Sequence, residues 1–334
     1  MNIAVIVSGG AVETLQAAPL VQSLRSPQSV GGHHVTLACP PQSAALARGI
    51  SGVSDVLPLK ALGRGRGPLS LLAAIVALRR RRLEAVVVCS DRGEVHLIAY
   101  LSGVALRVGS ATGATSLLFT HRTARPVGEN RAATWLRLAN ALGHPAAPVV
   151  PYFDPGKEAI VLADRHLFAA GVAENHPILV MAPGPGWTEP GDGLPASALA
   201  WEPERYAHLA NLLRARHGGA IVLVGAAEDR AAVDRVLVDL DAPALDLCGQ
   251  LDILSAVGVV ARCDLLVGGD GPLLHLAAAV GTPAVGIFGP TDGRRRGPFG
   301  PTHRVVQGID RRHPGRATER VRVDDVLAGI ENAL

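Results

Sequence analysis

Aromatic residues make up only 3% of this chain of 334 residues. That scarcity leaves no series of rings on which successive bases could stack, so a nucleic-acid partner is not expected. Lysine is scarcer still, present only as Lys60 and Lys157, and arginine carries the remaining positive charge. The formal net charge of +3 is too small to draw a polyanion. The cysteines, Cys39, Cys89, Cys248 and Cys263, lie scattered near the ends of apolar runs. They show no metal-binding spacing and no Cys-x-x-Cys pair, so buried free thiols in a reducing compartment are expected, with no metal. Long hydrophobic runs are missing as well. The longest apolar helix candidate, Leu69 to Leu78, is too short to span a bilayer. The opening strand, Met1 to Val7, has no basic flank of the secretory kind, so a cytoplasmic location is expected. Arg79 to Arg82 follow the apolar helix. They read as cations in water at the negative end of a helix dipole, with a membrane-surface anchor as the other reading.

What is present is a core-rich, alternating chain, 48% hydrophobic and 18% charged. Strands are expected at Ile3–Val7, His34–Ala38, Ala85–Cys89 and Leu106–Val108. Helices are expected at Val12–Arg25, Gln42–Arg48, Pro68–Arg81, Val95–Ser102 and Arg131–Leu142. Short apolar strands alternating with helices imply an α/β fold with a parallel, doubly wound sheet. A stretch rich in Pro, Ala and Gly, Gly143 to Pro155, reads as a linker, which divides the chain into residues 1–150 and 151–334. The second half repeats the pattern, with strands at Ile178–Ala182, Ala220–Val224, Ala244–Leu247, Leu265–Val267 and Ala284–Phe288. Its helices are expected at Pro203–Arg216, Glu228–Leu240, Ile253–Ala261, Leu273–Val280 and Val323–Leu334. The loop Pro183 to Ala200 is long and full of Gly and Pro, and it reads as a flap.

The most telling stretch is Gly268-Gly269-Asp270-Gly271-Pro272-Leu273-Leu274-His275-Leu276-Ala277-Ala278-Ala279, followed by Gly281-Thr282-Pro283 and Phe288-Gly289-Pro290-Thr291-Asp292. It reads as strand, glycine turn, helix, strand and second glycine turn. Backbone N–H groups at a helix start favour an anion, and ligands of open α/β sheets bind at the carboxyl edge of the strands. Asp270 and His275, five residues apart, are expected to face one cleft at its edge, where their loss would cost little stability. A phosphorylated, hydroxyl-rich ligand fits this arrangement.

These motifs resemble the nucleotide-binding signature of the ADP-heptose:lipopolysaccharide heptosyltransferases, glycosyltransferase family nine. Leu247-Cys248-Gly249-Gln250 with Leu254 to Asp264 is similar to that family's approach to the signature. Trp201-Glu202-Pro203-Glu204-Arg205-Tyr206-Ala207 resembles its Trp-Pro-x-Glu-x-Phe-Ala segment. The resemblance implies a GT-B architecture: two Rossmann-like parallel-sheet domains facing across a cleft, the first binding acceptor and the second a nucleotide-sugar. It implies an inverting transferase that uses no metal and no cofactor, with an ADP-sugar as donor substrate. The acceptor would be a glycan, such as the lipopolysaccharide inner core at the inner face of the cytoplasmic membrane, or a small molecule. A nucleotide-sugar epimerase of the same fold and a non-catalytic nucleotide-binding module are the rival readings.

Residue roles follow from the same resemblance. Glu13 occupies the place of the family's catalytic Asp, counting back from Pro19, and would be the base that removes the acceptor proton. Its alternative is an acid placed for the helix dipole. Asp270, Gly271, His275, Thr188, Thr291 and Asp292 would bind the donor, and Glu228 its ribose or base. The family's hydroxyl after the Asp is replaced by Gly271 and its next Gly by Pro272, so the phosphate cradle must differ. The family's phosphate-binding Lys corresponds to Leu199. Arg205, or Arg294 with its neighbours Arg295 and Arg296, would supply the missing cation. His121 and Arg122 are expected near the acceptor.

Overall fold

A computed structural model describes residues 1–25, 32–63, 67–110, 113–144, 149–172, 177–187 and 196–331. The chain divides into two compact units, Met1–Tyr152 and Phe153–Leu334.

The first unit is a parallel sheet of six strands: β1 (Asn2–Val7), β2 (His34–Cys39), β3 (Asp55–Pro58), β4 (Ala85–Cys89), β5 (Leu106–Ser110) and β6 (His121–Thr123), in the order β3-β2-β1-β4-β5-β6. The apolar runs of β1 and β4 pair in register, Ile3 opposite Ala85 through Val7 opposite Cys89. Every residue of β4 is buried, as expected of a parallel strand covered on both faces. Helices α1 (Ala11–Gln16), α2 (Ala18–Arg25), α3 (Ala44–Gly49), α4 (Pro68–Arg79), α5 (Gly93–Leu101) and α6 (Arg131–Leu136) complete the unit. The single helix expected over Val12–Arg25 is instead two, because Pro19 lacks the N–H that would continue the hydrogen-bond ladder. β3 and β6 escaped the sequence reading. Both are short, and Leu57 alone among their residues is buried, so neither carries an apolar run.

The second unit has the same plan. Its strands are β7 (Ile178–Ala182), β8 (Ala220–Leu223), β9 (Leu245–Asp246), β10 (Leu265–Gly269), β11 (Ala284–Phe288) and β12 (His303–Gln307), in the order β12-β11-β10-β7-β8-β9. Its helices are α7 (Lys157–Ala169), α8 (Pro203–His217), α9 (Arg230–Val238), α10 (Ile253–Val260), α11 (Pro272–Val280), α12 (Gly293–Arg296) and α13 (Val323–Glu331). Pro203 and Pro272 open α8 and α11, where the missing N–H costs nothing. Gly281 closes α11 in the left-handed region, φ +87°. The core on one face of this sheet holds Trp201 and Tyr206, both fully buried and packed edge to face at 5.0 Å. α7 and β12 were not anticipated. α7 begins just after the expected linker, and β12 alternates with polar residues at the sheet edge. Among the described residues, no helix is long and apolar enough to cross a membrane.

Candidate functional site

In each unit the strand order reverses direction once, between β1 and β4 and between β7 and β10. Such switch points open a crevice at the carboxyl ends of the two strands. In the second unit, Asp270 and the start of α11 lie at that point. Gly271 caps the helix with an extended backbone. Asp270 is 1% exposed and His275 6%. Both are therefore buried, which corrects the expectation of an exposed edge: their loss would cost stability as well as any ligand contact. Nε of Arg296 donates to Asp270 Oδ2 at 2.8 Å, while Asp270 Oδ1 is buried with no hydrogen-bond partner. A buried carboxylate oxygen left in that state is costly, and a ligand hydroxyl would satisfy it. Beside it is a small cavity of about 10 Å³, room for about one water, lined by Ala182, Gly184, Trp187, Asp229, Gly268 and Gly271 among others.

The second glycine turn is held from β12, by a residue the sequence reading missed. Gln307 Nε2 donates to the carbonyls of Gly289 (2.9 Å), Thr291 (3.1 Å) and Gly308 (3.0 Å), and its Oε1 accepts from Gly293 N at 2.9 Å. One amide thereby fixes the whole turn between β11 and α12. Gln307 ends β12, a strand that the sequence did not announce, so no local signal pointed to it. Asp292 caps α12, accepting from Arg294 N at 3.0 Å. Thr291 Oγ1 is buried without a hydrogen-bond partner. Thr291, Asp292 and Arg294 line a cavity of about 470 Å³ shared with Gln307 and Asp310.

Glu228 is exposed, and its neighbour Asp229 is the buried acid. Asp229 accepts from Ala226 N at 2.9 Å and from the amide of Gly186. It fills the space where side chains on Gly184 and Gly186 would otherwise sit, so both glycines are required by close approach. Burial raises the Asp229 carboxyl above its ordinary range, opposed by those two amides. Thr188 lies outside the described residues, as do the other residues of 188–195 in the middle of the expected flap. Arg205 donates to the Val321 carbonyl and pairs with Glu202 at 3.0 Å. Those contacts tie α8 to the segment before α13. One Asp-x-Asp triplet exists in the chain, Asp239-Leu240-Asp241. It follows α9 and precedes β9, at the amino edge of the sheet, opposite the switch point.

In the first unit, Glu13 projects from α1 directly after β1. Its Oε2 accepts from Gly10 N at 2.9 Å, and its Oε1 pairs with Arg131 Nη1 at 3.0 Å. Arg131 opens α6, which Asn130 caps by accepting from Ala132 N. This partner, 118 residues away, was invisible in the sequence. Gly9 has φ +122°, and a Cβ there would stand 2.9 Å from the Glu13 carboxylate. The turn thus excludes any side chain that would displace Glu13. His121 and Arg122 are exposed on β6, the edge strand, three positions from β1 in the sheet order. The structure brings Arg131, and not this pair, to Glu13.

The family model for glycosyltransferase family 9 (heptosyltransferase) matches residues 71–322. The chain belongs to that family. Its curated relatives include lipopolysaccharide heptosyltransferase 2 of Salmonella typhimurium, 30% identical over 141 residues, and the enzyme of the same name from Escherichia coli, 31% identical over 141 residues. Each match takes in 41% of this chain and 38% of the relative, so the chain spans under half the length of these relatives. Among solved structures, a family 9 glycosyl transferase from Veillonella parvula superposes with a TM-score of 0.80 at 15% identity, covering 99% of this chain and 96% of that one. An E. coli ADP-heptose lps heptosyltransferase II superposes at 0.75 with 20% identity, covering 100% and 98%. At such identities the likeness shows the fold, that of GT-B heptosyltransferases: the two parallel six-stranded sheets with flanking helices described above. The glycine turns of this family 9 chain lie wholly within the matched residues, whereas Glu13 precedes them.

Proposed function

We propose that this family 9 chain is an inverting glycosyltransferase that moves a heptose from ADP-heptose to an acceptor hydroxyl without a metal ion. The observation that carries the reading is the Asp270 carboxylate, buried at the switch point with one oxygen on Arg296 and the other unpartnered. A sugar hydroxyl donating to Oδ1 would satisfy that atom. The diphosphate would lie against the start of α11 and the Gly289–Thr291 turn, where partial positive charge gathers. Arg294, lining the cavity at that turn, would supply the cation that the absent lysine does not. Glu13 would take the proton from the acceptor hydroxyl as its oxygen attacks the anomeric carbon. The bond from that carbon to the diphosphate breaks, and ADP leaves with the electron pair. A solved heptosyltransferase holding ADP-2-deoxy-2-fluoro heptose has the same fold and supports the choice of donor class. The acceptor proposed is a glycan of the lipopolysaccharide inner core, reached from the cytoplasmic face of the membrane.

Calorimetric titration with ADP-, UDP- and GDP-sugars, with and without EDTA, tests the donor. The expected result is micromolar binding of ADP-heptose alone, unchanged by chelator. Tightest binding of a UDP-sugar, or binding abolished by EDTA and restored by a divalent ion, would overturn the assignment.

A further inference from the structure

Trp187, just past β7, is held in a backbone conformation that its side chain disfavours. Its φ is +54°, in the left-handed region, where the Cβ of a bulky residue crowds the backbone. Among the described residues one other non-glycine has a positive φ, Arg82, which is exposed in the turn between α4 and β4. Strain of this kind gathers at ligand clamps, where surrounding contacts hold it in place. Those contacts are present. The amide of Gly186, the residue before Trp187, donates to the buried Asp229 carboxylate. Asp229 also fills the space beside Gly184 and Gly186. The end of the β7 loop is thereby pinned to the turn after β8.

Trp187 differs from the other two tryptophans of the chain. Trp135 and Trp201 are core residues, 6% and 0% exposed, whereas Trp187 is half-buried at the switch point. It lines the cavity of about 10 Å³ together with Gly225 and Asp229 on the β8 side and Gly269 and Gly271 on the β10 side. That cavity has room for about one water and for no part of a nucleotide, so a ligand must lie over its rim. On the β10 side, the start of α11 and Asp270 are the proposed places of the diphosphate and a sugar hydroxyl. The nucleoside then runs towards β8, past Trp187. An indole at that point offers a π-face to a base. The scarcity of aromatic residues excludes a run of stacked bases, but one base needs only one ring.

We propose that Trp187 binds the donor by stacking its indole on the adenine base. The inference rests on the donor reading of the proposed function, but its readout is ADP binding and involves no sugar transfer. The experiment is calorimetric titration of the full chain with ADP, beside tryptophan fluorescence and a thermal melt. ADP should quench the emission of the wild type, because a base stacked on an indole opens a non-radiative path for its excited state. Trp187→Phe should lose that quenching, since the remaining tryptophans lie in cores, and keep most of the affinity. Trp187→Ala and Trp187→Leu should each weaken ADP binding on the order of 10–100-fold, because bulk without a ring does not stack. Trp187→Gly should melt no lower than Trp187→Ala, because glycine adopts a positive φ without strain, and yet bind ADP as poorly. Should the smaller variants fail to fold, the fluorescence of the wild type and of Trp187→Phe decides. Unchanged ADP affinity in Trp187→Ala, rescue by leucine as complete as by phenylalanine, or quenching that persists in Trp187→Phe overturns the stacking and leaves the donor reading intact. No ADP binding by the wild type overturns both.

Discussion

Replacing Glu13 by glutamine should lower turnover by about 10²–10⁴-fold, the contribution of a positioned general base, and leave the donor Kd within twofold. Glutamine keeps the size of the side chain and can still accept from Gly10 N, but it cannot take up the acceptor proton. The loss should therefore fall in kcat. Donor binding should not move, because the donor groups proposed here belong to the second unit. Arg131 would lose its anionic partner. Since both side chains are about four-fifths buried, that loss should cost more than a surface pair does, roughly 1–3 kcal/mol. Steady-state kinetics beside calorimetry and a thermal melt separate these effects. Near-wild-type turnover would remove Glu13 from the chemistry and leave it as an acid stabilising the start of α1. Arg131→Met supplies the complement: if Arg131 positions Glu13, that variant should lose turnover with the same unchanged donor affinity.

The second large effect is expected at Arg296. Removing it as Arg296→Met leaves the Asp270 carboxylate in a buried position without its cation, a change that costs roughly 3–5 kcal/mol in comparable settings. The melting temperature should fall by roughly 10 °C, given the usual conversion for a unit of this size. Asp270→Asn/Arg296→Met removes both charges, and it should recover most of the stability. Neither variant should bind ADP-heptose with wild-type affinity, because the carboxylate is absent from one and has lost its orienting partner in the other. Chemical denaturation of the three proteins is the measurement. A double variant no more stable than Arg296→Met would show that the pair is not an isolated unit.

Much of the fold is legible in the sequence because parallel strands covered on both faces leave unbroken apolar runs. Ala85–Cys89, Ile178–Ala182 and Ala284–Phe288 emerge with the bounds expected of them. The edge strands β3, β6 and β12 do not, because half-solvated strands dilute the apolar signal with polar residues. The glycine turns were legible for a related reason: backbone N–H groups and helix starts have a local sequence pattern. What was not legible is every contact between residues distant along the chain. Arg131 reaches Glu13, Arg296 reaches Asp270, Gln307 spans the second turn, and Asp229 packs against Gly184 and Gly186. Each depends on sheet order, and no local spacing encodes it. Burial at Asp270 and His275 was misjudged for a similar cause. A signature places residues along a strand and helix but does not say how deeply the crevice runs between them.

The central claim, sugar transfer from a nucleotide diphosphate, is tested most directly by proton NMR of the product formed from purified protein, ADP-heptose and a lipopolysaccharide inner-core acceptor. The account predicts stoichiometric ADP release and a new glycosidic bond whose anomeric configuration is inverted relative to the donor. Release of ADP with free heptose as the sole product, a retained configuration, or no consumption of ADP-heptose by a protein that binds it would contradict it.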